Sequence, residues 1–549
     1  MQKQKSEAVK LFLAKGAMVS TLALAINAQA LEFDFKDSDL TIDLDTTLTY
    51  GAQWRVQSAS MDYENRYAAV INSDDGTNNF DTGLVSNRIT IVSEADIQWR
   101  NFGFFVRGKA LYDDVYENDD TNQDELTYLT DNSGDGGGTW LNFGGAELGT
   151  LAPEDFHPDT IDLHGTDAFF LDAFLYGDFE LGDKFVSARL GRQVVSWGES
   201  TFIQGISGTQ NRLDESAAAA PGTQVKEIFM PTGSAYVNLE LTPSISVEAY
   251  YQYEWLESQW AGVGSYWSKA DFAGAGAERF LLHVDNLGFT IPVDMARTDD
   301  PGDSGQWGLA MRYLTENGTE FGFYRTAYHA KFYNVLGVAD PDARGPLAAL
   351  PAEMTLHYQE DVDLYGASFS TLLGSWNIVG EISYQPNLQT PQTILPVVTD
   401  GVAANGVPRE AHVTQVNLGF LQIWGDNIFA DGINMLGEIA YVRSNHEDDT
   451  PLQQNTQEAY AAVLSTTFNY NSIMSGVDLS IPVNFKWGID GYWNTLTMTQ
   501  NTKSVSMGAR INYRKQMTAE IKYTEFWGNE SNNLTHDRDN VSFSVNYTF

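Results

Sequence analysis

Apolar and polar residues alternate with a period of two along almost the whole chain, and this pattern constrains the fold more than any other feature. The segments 89–99, 245–253, 433–441 and 505–513 are examples in which apolar side chains occupy every second position. Such alternation predicts β-strands with one apolar and one polar face, because successive side chains of a strand point to opposite sides. Helical periodicity is not sustained in these segments, so the sequence predicts an all-β fold.

The connections between these segments alternate between short turns and long loops. Connections that are short at one end of the sheet and long at the other are typical of an outer-membrane barrel, in which the periplasmic turns are short and the extracellular loops are long. The alternation predicts about 18 strands, within a range of about 16–18. A closed antiparallel transmembrane β-barrel is expected, because an open sheet edge cannot pair its backbone groups in hydrocarbon.

Composition excludes several other classes of protein. The 549 residues carry a formal net charge of −41, from 32 Lys plus Arg and 73 Asp plus Glu, so nucleic acid is not an expected partner. The absence of cysteine rules out disulfide scaffolds, Cys-ligated metals and a Cys nucleophile. Aromatic residues at 13% and hydrophobic residues at 43% argue against disorder.

The N-terminus resembles an export signal. Residues 1–30 contain basic residues, then a short apolar run, then the small-x-small sequence Ala28-Gln29-Ala30, so they are predicted to be a signal peptide. Residues 41–549 are assigned to the barrel, in the outer membrane of a Gram-negative bacterium. In residues 31–40, Leu31 and Phe33 are out of phase with Ile42, which predicts a periplasmic tail that docks a partner, or a plug.

The last strand ends on an aromatic residue with apolar residues in phase behind it. This pattern is similar to the C-terminal signal that the outer-membrane barrel assembly machinery reads. The residues predicted to form the signal are Val541, Phe543, Val545, Tyr547 and Phe549.

Three stretches together carry a family resemblance: Arg189 to Ser200 (RLGRQVVSWGES), Phe104 to Asp113 (FFVRGKALYD) and the C-terminal strand. They resemble the uncharacterised outer-membrane family called domain of unknown function 1302, over the whole mature chain. The resemblance implies a large barrel with a partly occluded lumen. It also implies a role in handling hydrophobic molecules, beside a periplasmic lipid carrier and an exporter. The family offers no catalytic residues to carry over.

The polar phase of the strands is expected to face the lumen, because Arg or Lys on the lipid face would cost about 2–4 kcal/mol each. The charged residues predicted to line the lumen or a constriction are Arg107, Arg189, Arg312, Arg510, Lys486, Lys522, Glu94, Asp96, Glu248, Glu381 and Asp490. Both signs occur. One interpretation is a transverse field that orients a polar permeant. The other is a network of ion pairs that fills and stiffens the interior.

Arg192, Trp197 and Glu199 lie where a strand enters a long loop. One hypothesis makes them an ion-paired latch that holds this loop at the barrel mouth. The alternative is a strand cap, with Trp197 in the ring of aromatic residues at the membrane surface.

Two long loops stand out by composition. Residues 255–297 form an apolar loop, which is expected either to bind an apolar ligand in or over the barrel, or to pack on itself as a lid. Its main aromatic residues are Trp255, Trp260, Trp267, Phe272, Phe280 and Phe289. Residues 113–136 form an acidic loop in which Asp131, Ser133 and Asp135 resemble half of a calcium loop. Surface Ca²⁺ or Mg²⁺ could bridge this loop to lipopolysaccharide; no other cofactor is expected.

No catalytic motif appears, so we expect no enzyme. The sequence predicts an outer-membrane channel or transporter that moves small solutes without covalent chemistry. The charged lumen favours polar solutes, whereas the apolar loop and the family resemblance favour hydrophobic or lipid-like ones. The alternative is a surface interaction or envelope-assembly protein that uses a plugged barrel as its anchor.

Overall fold

The computed structural model describes most of the chain beyond the predicted signal peptide. The described residues are 31–35, 38–60, 72–73, 75–118, 156–284, 289–296, 298–340, 350–390, 393–394, 397–399, 402–405, 408–449, 454–493, 498–528 and 533–549. The predicted signal peptide, 1–30, lies outside them.

Eighteen long strands pair in chain order, each with the next and antiparallel to it. They are β1 Leu40–Arg55, β2 Gly83–Trp99, β3 Phe102–Asp113, β4 Thr166–Leu181, β5 Lys184–Gln193, β6 Thr232–Thr242, β7 Ile245–Gln252, β8 Gln306–Leu314, β9 Glu320–Tyr328, β10 Val362–Leu373, β11 Trp376–Gln389, β12 Glu410–Trp424, β13 Gly432–Ser444, β14 Glu458–Met474, β15 Val477–Asp490, β16 Thr502–Tyr513, β17 Met517–Gly528 and β18 Asn540–Thr548.

The first and last strands close the sheet into a barrel. Arg55 on β1 lies opposite Asn540 on β18, and Thr47 lies opposite Thr548. The predicted assembly signal therefore lies at the strand that completes the ring. The backbones of Phe549 and Thr46 exchange two hydrogen bonds, each N–H donating to the other residue's carbonyl. This closure confirms the predicted closed antiparallel barrel of 18 strands.

The connections confirm the predicted difference between the two ends. Eight short turns lie at one end, which we call the short-turn end: 100–101, 182–183, 243–244, 315–319, 374–375, 425–431, 475–476 and 514–516. Nine longer loops lie at the opposite, long-loop end: 56–82, 114–165, 194–231, 253–305, 329–361, 390–409, 445–457, 491–501 and 529–539.

The two faces of the wall differ as the alternation predicts. The outer face carries exposed apolar side chains such as Trp54, Leu309 and Ile439, whereas Thr49 and Gln53 point inward and are buried. Since the outer face is apolar around the ring, it matches a hydrocarbon environment.

The N-terminal segment corrects one prediction. Leu31–Phe35 is neither a free tail nor a plug but a short strand antiparallel to β1, with Phe33 opposite Ile42. It pairs with the part of β1 that β18 does not reach, because β18 ends opposite Thr47. The reversal of the chain before Leu40 puts Phe33 and Ile42 at paired positions, which share a face, although they are out of phase in sequence.

The long-loop end contains small elements of its own. Four short helices are described: α1 Asp75–Asn78, α2 Asp114–Asn118, α3 Pro158–His164 and α4 Glu215–Ala219. The two described 3₁₀ turns are Ile206–Thr209 and Val225–Glu227. Short strands pair within and between the loops: Arg212–Leu213 with Phe229–Met230, Arg279–Val284 with Phe289–Asp294, Asn334–Ala339 with Pro351–His357 and Thr393–Ile394, Val397–Thr399 with Val402–Ala404, and Asp448–Asp449 with Gln454–Asn455. No described helix is both long and apolar enough to cross a membrane.

The buried core lies inside the barrel, between the long loops and the inner wall. One cluster joins Trp197 and Ile206 of a loop to Tyr250 on β7 and Tyr324 on β9. Another joins Phe80, Tyr116 and Tyr266 from three different loops. The barrel interior is therefore packed at this end.

Candidate functional site

The loop between β5 and β6, residues 194–231, crosses the barrel interior, and we call it the lumen loop. Near its start, the amide of Ile206 donates a hydrogen bond to Glu381 on β11. Near its end, Lys226 forms an ion pair with Glu94 on β2. These two strands are 11 − 2 = 9 positions apart in a ring of 18, so they lie on opposite sides of the barrel. The lumen loop therefore divides the interior.

Glu381 holds the lumen loop by its backbone. One carboxylate oxygen accepts hydrogen bonds from the amides of Glu199 and Ser200, at 2.6 and 3.1 Å, and the other accepts one from Ile206 at 2.9 Å. A carboxylate can satisfy several amides at once, because each of its oxygens has two lone pairs.

Glu438 on β13 does the same for the next residues. It accepts hydrogen bonds from the amides of Thr201 and Phe202, both at 2.8 Å, and from Ile203 at 3.3 Å. The side-chain amide of Asn417 donates a further bond to it at 2.8 Å. We call Glu381 and Glu438 the wall clamp, because together they bind six backbone amides of the lumen loop.

Two glycines make the close approach of Glu381 possible. Gly198 has a φ of +90°, and a β-carbon on it would lie 2.6 Å from a Glu381 oxygen. A β-carbon on Gly205 would overlap the other oxygen. The Trp-Gly-Glu part of the family motif thus has a structural role, since Gly198 combines a left-handed backbone with space for the carboxylate.

Trp197 corrects a prediction. It does not lie in an aromatic ring at the membrane surface but inside the barrel, only 1% exposed. Its indole N–H donates to Glu248 at 2.7 Å, and its ring lies 4.8 Å from that of Tyr250. No signal in the sequence indicates that the loop turns into the barrel immediately after β5.

The predicted latch residues are not paired with one another. Arg192 forms an ion pair with Glu254, at the long-loop end of the neighbouring wall. Glu199 lies 3.9 Å from the guanidinium of Arg312, which also pairs with Glu248 at 2.8 Å. A network of charges on the wall and the lumen loop therefore replaces the single latch.

The environment of Glu199 raises the pKa of its carboxyl group. Burial raises its pKa to about 7, and the neighbouring carboxylates Glu320 and Glu381 act in the same direction. Arg312 opposes this effect by favouring the charged form.

The opposite wall holds the lumen loop by ion pairs. Lys226 binds Glu94 at 2.6 Å, and Glu227 binds Lys109 on β3 at 3.1 Å. Arg107 pairs with Glu94 and with Asp172 on β4, at 2.7 Å in both cases.

The remaining predicted lumen residues have separate partners. Arg189 lies 4.3 Å from the centre of the Tyr236 ring, and Asp96 accepts a hydrogen bond from Tyr176 at 2.7 Å. Arg510 pairs with Glu520 at 2.8 Å. Asp490 is exposed at the long-loop end of β15. Lys486 and Lys522 line a cavity that is described below.

The apolar loop packs against other loops and the wall rather than forming one continuous surface. Trp255, Phe272 and Phe280 are buried against the loop 329–361. Trp267 enters the barrel and donates to Gln53 on β1 at 3.1 Å, whereas Trp260 packs on Phe332. The Phe289 side chain lies outside what the structure describes.

Two cavities beside the lumen loop are lined by described residues. The first, about 490 Å³, lies between the apolar loop, helix α4 and the inner wall of β15–β18; we call it the lysine cavity, after Lys486 and Lys522. The second, about 360 Å³, lies between the lumen loop and the loop 329–361; we call it the amide cavity, after Gln204, Gln385 and Gln415. Phe332 borders both cavities, so they adjoin.

The residues of the predicted cation site, Asp131, Ser133 and Asp135, lie outside the described residues. Within the described ranges, no group of three or more His, Asp or Glu side chains is arranged to hold a metal ion.

The alternation of segment 433–441 implies that Glu438 points inward, but Glu438 is not among the predicted lumen residues. Its inward phase was visible, but its role depends on the path of the lumen loop. Asn417 and Gln415 were missed altogether; both donate to carbonyls of that loop, at 2.6 and 2.7 Å.

Several solved barrels are similar to most of the chain at low sequence identity. Acinetobacter baumannii OccAB3 is 9% identical, with a TM-score of 0.39, and covers 92% of this chain and 99% of its own. Pseudomonas aeruginosa OccK2 (OpdF) is 6% identical, with a TM-score of 0.41 and coverages of 92% and 97%. A BenF-like porin from Pseudomonas fluorescens Pf-5 is 8% identical, with a TM-score of 0.41 and coverages of 92% and 98%.

No curated protein sequence matches the chain. The family described as "Protein of unknown function (DUF1302)" matches residues 11–549, nearly the full length. This match includes all three stretches that carry the resemblance, and the chain therefore belongs to the DUF1302 family.

Proposed function

We propose that the protein is a channel in the outer membrane of a Gram-negative bacterium, and that small solutes cross it beside the lumen loop without covalent chemistry. The observation that carries this proposal is the pair of adjoining cavities inside a closed, apolar-faced barrel. A barrel that served only as an anchor would not need cavities in its interior.

The arrangement of the lumen loop supports a restricted channel rather than a wide pore. An empty barrel of this strand number would leave an aqueous passage. Here the wall clamp holds the loop on one side and the ion pairs of Lys226 and Glu227 hold it on the other. Solutes would therefore be selected by the surfaces that remain.

The lining of the amide cavity supports passage of molecules with a large apolar part. Phe202, Leu388 and Trp493 provide apolar surface, and several glutamines provide neutral hydrogen-bonding groups. Among the described lining residues there is no carboxylate, and the one basic residue, Lys331, already donates to the side-chain oxygen of Gln306. This lining favours amphipathic or hydrophobic solutes over small inorganic ions.

The alternative is a surface interaction or envelope-assembly protein with a plugged lumen. It is favoured by the extent to which the loops fill the long-loop end, where Trp255, Phe272 and Phe280 are buried between loops. Under either function, we propose that the short-turn end faces the periplasm, where a lipid carrier and an exporter could meet it. Lipopolysaccharide would surround the opposite end, and the assembly machinery would recognise β18.

Conductance in planar lipid bilayers tests the two functions. We expect stepwise currents from the purified wild-type protein, because the lysine cavity and the amide cavity adjoin inside the barrel. The test should include a variant with both clamp residues changed to glutamine, in which the lumen loop is released. Silence of both proteins at every voltage and salt concentration, with correct folding shown by heat-modifiable mobility in SDS gels, would favour the plugged anchor.

A further inference from the structure

Lys486 on β15 and Lys522 on β17 have no partner in the part of the chain that the structure describes. Among the described residues, neither ammonium has a carboxylate oxygen within 4.0 Å. The charged groups that act on Lys486 are two other cations, Lys269 and Lys522. The acidic neighbour of Lys522, Glu520, is already paired with Arg510 at 2.8 Å.

Each of the other described lysines inside the barrel has an ion-pair or hydrogen-bond partner. Lys109 pairs with Glu227 at 3.1 Å, Lys226 with Glu94 at 2.6 Å, and Lys269 with Glu215 at 2.5 Å. Lys331 donates to the side-chain oxygen of Gln306 at 2.7 Å. Acidic residues outnumber basic ones by more than two to one in this chain, so two unpaired ammonium groups in one cavity are not explained by a lack of carboxylates.

Both lysines line the lysine cavity, and they remain accessible in it. Lys486 is exposed and Lys522 is half-buried, although both belong to the inward face of the wall. Lys503 also borders the cavity, but its ammonium lies 5.8 Å from the centre of the Trp487 ring, whose side chain is exposed on the outer face.

The rest of the cavity is lined by apolar side chains and by uncharged polar side chains. Trp260, Trp267 and Phe526 form an aromatic side, with 6.0 Å between the ring centres of Trp267 and Phe526. Ser504, Ser506 and other hydroxyl and amide side chains complete the wall near the lysines. Glu215, the one carboxylate among the described lining residues, is already bound to Lys269.

We propose that the lysine cavity binds an amphipathic organic anion, with its acidic head on Lys486 and Lys522 and its apolar body against the tryptophans. Charge-assisted hydrogen bonds to the ammonium groups would hold the head, and burial of the body would supply the remaining affinity. A cavity of about 490 Å³ matches the size of sites that take small organic molecules. The inference rests on the proposed function, because the ligand is taken to be a solute that crosses the barrel.

Binding of 2-naphthoate to the full-length protein in detergent tests the proposal, with 2-naphthol as the neutral analogue of the same shape and acetate as the head alone. Isothermal titration calorimetry at pH 7.5, corrected for partition into empty micelles, measures each affinity. We expect naphthoate to bind at least about tenfold more tightly than naphthol or acetate.

The double substitution Lys486→Met and Lys522→Met should weaken naphthoate binding about tenfold or more and leave naphthol binding unchanged. The control is Lys184→Met, which makes the same type of substitution at one lysine beside a short turn, outside the cavity, and should change nothing. Heat-modifiable mobility shows that each variant is folded. Equal binding of naphthoate and naphthol, or equal binding to the double variant and the control, would overturn the proposal.

This measurement is independent of current. Conductance without naphthoate binding would overturn only the ligand class. Naphthoate binding that depends on the two lysines, without any conductance, would uphold the site and refute the channel.

Discussion

Releasing the lumen loop from the wall clamp should widen the passage through the barrel. The perturbation is the double substitution Glu381→Gln and Glu438→Gln, which keeps side-chain shape but removes both charges. The loop should then leave its clamped position, because only one other described hydrogen bond reaches the backbone of residues 199–203, the bond that Asn417 donates to the carbonyl of Ile203. We expect a higher and noisier single-channel conductance and passage of larger solutes.

The magnitude follows from the hydrogen bonds of the two carboxylates. A glutamine keeps one oxygen, and its NH₂ group cannot accept a bond from a backbone amide. Even with the best orientation, Glu381→Gln loses the bond from Ile206, and Glu438→Gln loses the bond from Ile203. Bonds to a charged acceptor are worth about 1.5–3 kcal/mol each, so the loss is about 4 kcal/mol. This value changes the ratio of clamped to released loop by roughly 10³-fold.

Two assays report on the loop. Planar bilayers give the conductance, and thiol labelling gives the accessibility of the loop. The chain has no cysteine, so Ser207→Cys introduces a single thiol next to Ile206. A maleimide reagent should modify this thiol faster in the double variant than in the wild-type background.

The control is Glu240→Gln, which removes a charge from an exposed position on β6 and for which the structure shows no contact with the lumen loop. The barrel ladder is intact in all variants, so their unfolding temperatures should remain close to that of the wild type. If the double variant matched the Glu240→Gln control in both conductance and labelling rate, the clamp would not hold the loop, and the reasoning would be wrong.

Three further predictions concern single residues. Gly205→Ala should raise conductance in the same direction as loss of the clamp, because its methyl group would overlap the Glu381 carboxylate; unchanged bilayer currents would contradict this. In Glu199→Gln, the reversal potential in a salt gradient should differ from that of the wild type above about pH 7 and coincide with it below, because the raised pKa leaves Glu199 neutral under more acidic conditions; a constant difference across pH 5–9 would refute the assignment. Asp537→Asn should lower the free energy of unfolding by about 3–5 kcal/mol, because it leaves the fully buried Arg55 guanidinium without its charge partner; denaturant titration of folded mobility measures this, and an unshifted midpoint would count against it.

The sequence predicted the wall of the barrel well because the bilayer imposes a simple rule on it. Every strand must present apolar side chains to lipid at alternate positions, and this pattern can be recognised one segment at a time. The number of strands, the two lengths of connection and the inward phase of residues such as Glu381 and Glu438 follow from it. The final strand also closes the ring as expected.

The interior could not be predicted in the same way, because its contacts join residues that are distant in sequence. Glu381 binds the amide of Glu199 across 182 positions, and Glu438 binds that of Thr201 across 237. The sequence shows that Trp197 follows a strand, but not that the loop turns inward there. Likewise, the phase of Phe33 suggested a separate segment, since a reversal of the chain before Leu40 cannot be read from alternation alone.

The attachment of one loop to opposite sides of the ring has a mechanical consequence. A barrel under lateral pressure tends to flatten into an ellipse, which shortens one diameter and lengthens the other. Between Glu94 and Glu381, the lumen loop acts as a strut along one diameter, so flattening along it must bend the loop or break its ion pairs. The shape of the barrel and the position of the lumen loop are therefore linked, and in the proposed channel a change in bilayer tension or thickness would be transmitted to the cavities beside this loop.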